Sequence, residues 1–240
     1  MSWAAHEFEP YTLQRHLGGR VSFLALALGS FGPDSFTKWY VYGIDRGIVH
    51  VGAANPAQFH RGWPGAGFTH SLAFAVAAGL LVWLLTRSRA WALGYGIGAA
   101  AHVVTDISDS VGTMLFFPLS TETVSLGLWA YAAEAGRYLD AAAYYSSLGA
   151  VMDGTWLVIG LLNWRVFRAD YFRAVVAPAD GAWSWLGRWF PEEALLAVYR
   201  AFFFYGAARF TFWLLWTHVV HRYEWDLSPG GPHWVEAVRL

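Results

Sequence analysis

Five long apolar segments are the feature that most constrains the fold of this chain. They cover about residues 13–31, 68–86, 91–107, 149–167 and 195–220. A helix needs about 20 mainly apolar residues to cross a bilayer. Only 14% of the 240 residues are charged, whereas soluble domains carry about a quarter. The sequence therefore predicts an all-α fold, a polytopic membrane helix bundle with about five transmembrane helices.

The connections between these segments differ in character. Residues 34–67 are predicted to form a long loop, and the acidic stretch 120–148 is predicted to form an interfacial amphipathic helix. Arginines follow the second and fourth segments, which favours a cytoplasmic position for those ends. We expect a single membrane domain over 1–240, with a core at 20–120 and additional aromatic-rich helices at 121–240.

Imidazole and carboxylate groups stand at the ends of three apolar segments. Asp34 ends the first, His70 begins the second, and His102 and Asp106 end the third. Because successive spans alternate in direction, all four are expected at one face of the membrane. His102 and Asp106, four residues apart, share a helix face. Such groups are ligands for a divalent metal, with Zn²⁺ as the expected ion, and ionisable groups inside a membrane are usually functional.

A plainer interpretation stays open beside the metal site. A single histidine in a membrane helix is more often a hydrogen-bonded packing residue, and a His-xxx-Asp pair can be a local ion pair that closes a helix end. If a metal is bound, Asp34 is a candidate bridging ligand or base, and Asp109 a further ligand or the base that handles water. Thr69, Ser71 and Thr105 are candidates for hydrogen bonds that orient the ligands.

Other polar residues give weaker predictions. His6 and His16 are expected on the opposite side of the membrane from the site, unless the first segment is a half-membrane helix. His218 and His221 are expected at the same face as the site, and an interfacial role is favoured over a ligand role for both. Arg209 lies deep in the last segment, with Asp153 as one candidate partner. The net charge of −1 offers no basic surface for nucleic acid, and the absence of cysteine excludes thiolate ligands.

At these residues the chain resembles the YdjM-like family of bacterial inner-membrane proteins, described as metal-dependent hydrolases and distantly grouped with zinc-dependent phospholipases C. The resemblance covers about residues 20–120. It rests on Pro33-Asp34, Phe68-Thr69-His70-Ser71, Gly94-Tyr95, His102 with Asp106, Gly112 and Pro118-Leu119-Ser120. It implies a multi-pass protein of the bacterial inner membrane, with Asp34, His70, His102 and Asp106 as metal ligands. The implied substrate is a phosphodiester, such as the headgroup of a membrane lipid.

The chain departs from the family pattern at two places. Phe36 stands where the family has a second acidic residue, and Gly65-Ala66-Gly67 precedes Phe68 where the family has His-Arg-Gly. His60-Arg61-Gly62 lies five residues upstream, and unless it loops back two polar groups are lost. Two hypotheses follow. The first is a membrane metal-dependent hydrolase, and the second is a non-catalytic subunit of a larger membrane protein complex.

Overall fold

Helices make up most of the described chain, which in this computed structural model comprises residues 4–41, 44–46, 49–51, 56–129, 131 and 137–231. Its α-helices are α1 (Ala5–Leu17), α2 (Phe23–Val41), α3 (Pro56–Arg61), α4 (Leu72–Thr86), α5 (Arg89–Asp106), α6 (Arg137–Tyr145), α7 (Leu148–Leu162), α8 (Ala169–Tyr171), α9 (Gly181–Leu186) and α10 (Glu192–Leu215). Two short strands, β1 (Ile44–Arg46) and β2 (Val49–Val51), pair antiparallel. The predicted helical class is thus observed, with one small hairpin added.

The first apolar segment is two helices, so the prediction of one span over 13–31 was wrong. Helix α1 ends at Leu17, a 3-10 turn covers Gly18–Arg20, and α2 then begins at Phe23. Gly18 has φ +61°, a left-handed conformation that glycine adopts without steric penalty. The chain changes direction at this turn, so the beginning of α1 does not lie where a single span over 13–31 would have placed it.

The other four segments correspond to α4, α5, α7 and α10, with boundaries shifted by a few residues. The predicted long loop over 34–67 was wrong, because α2 continues to Val41 and α3 and the hairpin follow. In the described residues, no helix combines the length and the apolar character that crossing a membrane requires.

Glycines allow α5 to lie against α2 and α4 at very short range, as the small residues of 91–107 predicted. A Cβ atom on Gly98 would lie 2.3 Å from the carbonyl oxygen of Leu26, and one on Gly29 would lie 2.2 Å from that of Tyr95. On the other side of α5, a Cβ on Gly96 would lie 3.3 Å from the carbonyl oxygen of Ala75. This close packing fixes the relative positions of the helices that carry the candidate ligands.

The prediction of an interfacial helix in 120–148 was wrong, because the described side chains of α6, residues 140–145, are buried in the protein. Tyr144 and Tyr145 pack with Trp129 and Trp213 in an aromatic core. Both tyrosine hydroxyls also donate to the carboxylate of Asp153, at 3.0 and 3.1 Å. The same carboxylate accepts from the backbone N–H groups of residues 4 and 5, at 2.9 and 3.0 Å. Asp153 therefore fixes the beginning of α1, which carries no capping side chain of its own.

Candidate metal centre

The four residues predicted as ligands meet in the interior of the protein. Asp34, His70, His102 and Asp106 are all buried, and each offers one ligand atom within 4.8 Å of the others. The His102 Nε2 atom lies 3.1 Å from the Oδ2 atom of Asp106 and 3.7 Å from the Oδ1 atom of Asp34. The His70 Nε2 atom lies 3.5 Å from the same Asp34 oxygen. This buried group has the dimensions and the donor atoms to hold a metal ion.

Local structure explains how each ligand reaches the cluster. His102 and Asp106 lie one turn apart at the end of α5, so their side chains project to the same side. Asp34 follows Pro33 within α2, which packs directly on α5. His70 is the last residue of a 3-10 turn, Gly67–His70, that precedes α4. Three separate elements therefore converge on one point.

Hydrogen bonds fix which nitrogen of each histidine is free to bind. The Nδ1 atom of His102 lies 2.7 Å from the carbonyl oxygen of Ser30, and a carbonyl only accepts, so Nδ1 carries the proton. The Thr69 hydroxyl donates to the carbonyl of Ala66 and therefore accepts from Nδ1 of His70, at 3.0 Å. In both rings the lone pair is then on Nε2, which faces the cluster.

These two Nε2 atoms are buried and have no hydrogen-bond partner. A buried polar atom without a partner costs about 1–3 kcal/mol, so both need a group that accepts a nitrogen lone pair. A metal cation meets that need, and histidine ligands are commonly oriented through the other ring nitrogen in this way. The donor set therefore fits a divalent ion, as the sequence predicted.

Of the three hydroxyl residues predicted to orient the ligands, only Thr69 forms a hydrogen bond with a candidate ligand, His70. Ser71 caps α4, accepting from the N–H of Phe74 and donating to the carbonyl of Phe68. Thr105 donates to the carboxylate of Glu9. Ser71 and Thr105 thus hold a helix end and a neighbouring acid rather than the ligands.

The displaced His60-Arg61 pair does loop back to the site, so the two polar groups are not lost. His60 Nε2 lies 3.1 Å from the Asp34 carboxylate, and the Arg61 guanidinium pairs with Asp106. Both side chains are fully buried. The intervening residues fold into a turn in which the N–H of Ala66 donates to the carbonyl of Phe59, at 2.7 Å. The five additional residues are taken up in that turn.

His6 was expected on the opposite side, and this was wrong because α1 is a separate helix that begins beside the cluster. Its ring stacks on that of His102, with the centroids 4.0 Å apart, and its Nε2 atom lies 3.6 Å from the Asp106 Oδ1 atom. Its Nδ1 atom bonds to Glu9, at 3.2 Å. Burial lowers the pKa of His6, but the carboxylates of Glu9 and Asp106 outweigh burial and raise it to about 10.

Sequence reasoning missed Glu9 altogether. Its carboxylate accepts from Thr105 and Ser30, and it holds His6 at the edge of the cluster. The available signal was the i,i+3 spacing of His6 and Glu9, which places both on one helix face.

Asp109 lies beside the cluster rather than in it. Its Oδ1 atom accepts from the N–H groups of Val111 and Gly112, at 3.0 and 2.7 Å. Its Oδ2 atom lies 3.7 Å from the Arg61 guanidinium. Asp109 thus shapes the turn after α5 and helps to neutralise Arg61, which in turn contacts the predicted ligand Asp106.

The remaining predicted residues lie elsewhere. His16 is exposed near the end of α1. His218 faces the backbone carbonyls of Tyr223 and Tyr145, at 2.8 and 3.0 Å, and so is not in the cluster. His221 packs against Trp216. Arg209 pairs with Glu7, a partner that the sequence did not single out.

Comparison with known proteins gives one family. A protein-family model described as "YdjM inner membrane protein" matches residues 4–172, which is more than half of the chain and includes every member of the cluster. No curated protein and no solved structure matches significantly.

Proposed function

This chain belongs to the YdjM inner membrane protein family, and we propose that it is a multi-pass membrane protein that hydrolyses a phosphodiester with a bound divalent metal. The observation that carries the proposal is the buried set of Asp34, His70, His102 and Asp106, whose two imidazoles present unpartnered Nε2 atoms to two carboxylates. Membership of an inner membrane family supports a membrane location.

The proposed ion is Zn²⁺, because two neutral imidazoles and two carboxylates suit it. Such an ion lowers the pKa of a bound water and polarises a phosphoryl oxygen. Asp34 is 5% exposed, whereas the other three ligands are completely buried. Water and substrate are therefore expected to approach on the Asp34 side of the cluster.

Residues around the ligands are assigned supporting roles. Asp34 is proposed as a ligand that also accepts the proton of the attacking water, and His60, 3.1 Å away, as the group that orients it. Arg61 offsets the negative charge of Asp106 and Asp109. Asp109 remains a proposed base, although its Oδ1 atom is occupied by two backbone donors.

The proposed substrate is a lipid headgroup, because an exposed apolar helix face begins close to the cluster. The face of α4, which begins two residues after His70, exposes Val76, Leu80, Leu84 and Leu85. Exposed apolar surface of this extent marks a membrane or partner contact. A phosphodiester held in a membrane leaflet would thus be presented close to the site.

Metal analysis of the purified full-length protein tests the proposal. We expect about one divalent ion per chain in the wild type, and loss of that ion in the His102→Ala/Asp106→Ala variant. The wild type should release the headgroup from phospholipid vesicles, and chelation should abolish that release. His218→Gln is the matched control, because it removes a partly buried histidine outside the cluster and should keep the metal. Wild-type protein that never binds a divalent metal would refute the proposal.

The alternative function, a non-catalytic subunit of a membrane protein complex, loses one of the observations that motivated it. Phe36 still stands where the family has an acid, but His60 and Arg61 are in place at the cluster. Stoichiometric copurification with partner proteins, without bound metal and without phosphodiesterase activity, would favour this alternative.

A further inference from the structure

A basic pocket lies well away from the metal centre, between the end of α1 and the segment that follows α7. Its volume is about 470 Å³, and its lining includes Arg15, Trp164, Arg165, Arg168 and Asp170. Arg15 is nine residues after His6 on α1, a distance of about 13 Å along a helix. The pocket is therefore independent of the proposed catalytic site.

The charges around this pocket are unbalanced. Three guanidinium groups face one carboxylate, that of Asp170, which pairs with Arg168 at 3.0 Å. Among the described residues, no carboxylate lies within ion-pair distance of Arg15 or Arg165. The lining thus carries a net charge of +2 (three arginines less one aspartate), which suits an anion.

The walls of the pocket are held in place by contacts between separate elements. The Tyr171 hydroxyl donates to the carbonyl of Gln14 in α1, at 3.1 Å. Arg200 of α10 donates to the carbonyl of Phe167, at 2.7 Å. Val166, in the 3-10 turn Trp164–Phe167 between these anchors, is completely buried. The arginines are therefore presented from a fixed frame rather than from a free loop.

An apolar surface adjoins the basic one. Leu161 and Leu162 end α7 immediately before the pocket and are 53% and 77% exposed, and Trp164 in the pocket wall is 54% exposed. Arg168 stacks over the ring of Trp164, 5.5 Å from its centroid. Tryptophan beside arginine is typical of the headgroup level of a membrane. A free anion would make no use of the adjoining leucines, whereas the acyl chains of a lipid would.

We propose that this pocket binds the phosphate headgroup of an anionic membrane phospholipid, with its acyl chains along the exposed end of α7. Basic pockets between helices recognise anionic headgroups in this way. The arginines that follow the fourth apolar segment were expected on the cytoplasmic side, so the bound lipid belongs to the cytoplasmic leaflet.

The test measures binding of phosphatidylglycerol to the delipidated full-length protein in nanodiscs of phosphatidylcholine. We expect Arg15→Gln/Arg165→Gln to weaken binding by about 25-fold, since each arginine near an anionic surface contributes about fivefold. Asp170→Asn removes the opposing carboxylate and should tighten binding. The control is Arg173→Gln/Arg188→Gln, which removes two exposed arginines outside the pocket lining and should change binding less than twofold.

Three results would overturn the proposal. The control variant could weaken binding as much as the pocket variant, which would show attraction to surface charge in general. Inorganic phosphate alone could bind as tightly as the lipid, which would show a site for a free anion. Finally, the pocket variant could bind like the wild type.

Discussion

Arg61 offers the sharpest test of the structure, because the sequence left its position open and the structure buries it completely. Its guanidinium pairs with Asp106, lies 3.7 Å from Asp109 and donates to the carbonyl of Gly112, at 3.1 Å. Removing one partner of a buried ion pair costs about 3–5 kcal/mol, because the other charge is left uncompensated. At about 2–4 °C per kcal/mol for a chain of this size, Arg61→Gln should lower the Tm of the metal-free protein by about 6–20 °C.

The same substitution should raise the affinity for metal. The Oδ2 atom of Asp106 that Arg61 contacts is the one 3.1 Å from the Nε2 atom of His102, so guanidinium and metal compete for one oxygen. We therefore expect Arg61→Gln to be the less stable protein in chelator and to regain much of the difference when Zn²⁺ is added.

Thermal unfolding in detergent, with chelator or with excess Zn²⁺, measures both effects. Arg173→Gln is the matched control, because it breaks an arginine–carboxylate pair of which the side chains are 61% and 46% exposed. Such exposed pairs contribute about 0–1 kcal/mol, so its Tm should change by a few degrees at most. If Arg61→Gln and Arg173→Gln unfold at the same temperature in chelator, the buried position of Arg61 is wrong.

Four further predictions follow from single contacts. Gly98→Ala should lower the free energy of unfolding by about 1–3 kcal/mol through overpacking. At Gly154 a Cβ would lie 3.5 Å from its nearest neighbour, so Gly154→Ala should be neutral or stabilising in the same unfolding assay. Asp153→Asn should lower the Tm by several degrees. The Asp153 carboxylate accepts four hydrogen bonds, and an asparagine amide cannot accept all four. An unchanged Tm would argue against that network. His60→Gln should weaken Zn²⁺ binding by about 10–100-fold without abolishing it, as expected of a group that orients a ligand; complete loss of metal would make His60 a ligand itself. The pKa of His6 is about 10 in the folded protein, against an ordinary value of 6.5. The charged ring therefore stabilises the metal-free protein fully below about pH 6.5, and this contribution is lost as the pH rises through 10. The Tm should fall over that range in the wild type and less in His6→Gln.

The ligand cluster could be predicted because it depends on local spacing and on the ends of apolar segments. His102 and Asp106 share a helix face whatever lies around them. Asp34 and His70 stand at segment ends, so alternating helix directions were enough to bring them near the pair. The close packing of α5 followed from its glycines in the same way, because a residue without a side chain allows near approach to any neighbouring helix.

Helix boundaries in weakly apolar stretches of the chain could not be predicted as well as the ligand cluster. The segment 13–31 is interrupted at Gly18, but a hydropathy average does not detect a left-handed glycine. The mistake also placed His6 away from the site, since the direction of α1 depends on that turn. The stretch 120–148 reads as amphipathic, yet Tyr144 and Tyr145 of α6 are buried because Trp129 of the same stretch and Trp213, far along the chain, pack against them.

The sequence by itself thus determined the helical class, the four candidate ligands and the residue types that suit a divalent metal. Only the tertiary structure decided that His60 and Arg61 reach the cluster, that His6 and Glu9 border it, and that the free lone pairs of His70 and His102 lie on Nε2. The physical reason is that the first group depends on local spacing along the chain and on the ends of apolar segments. The second depends on turns and on hydrogen bonds to groups such as the Ser30 carbonyl, which is 72 residues from His102 along the chain.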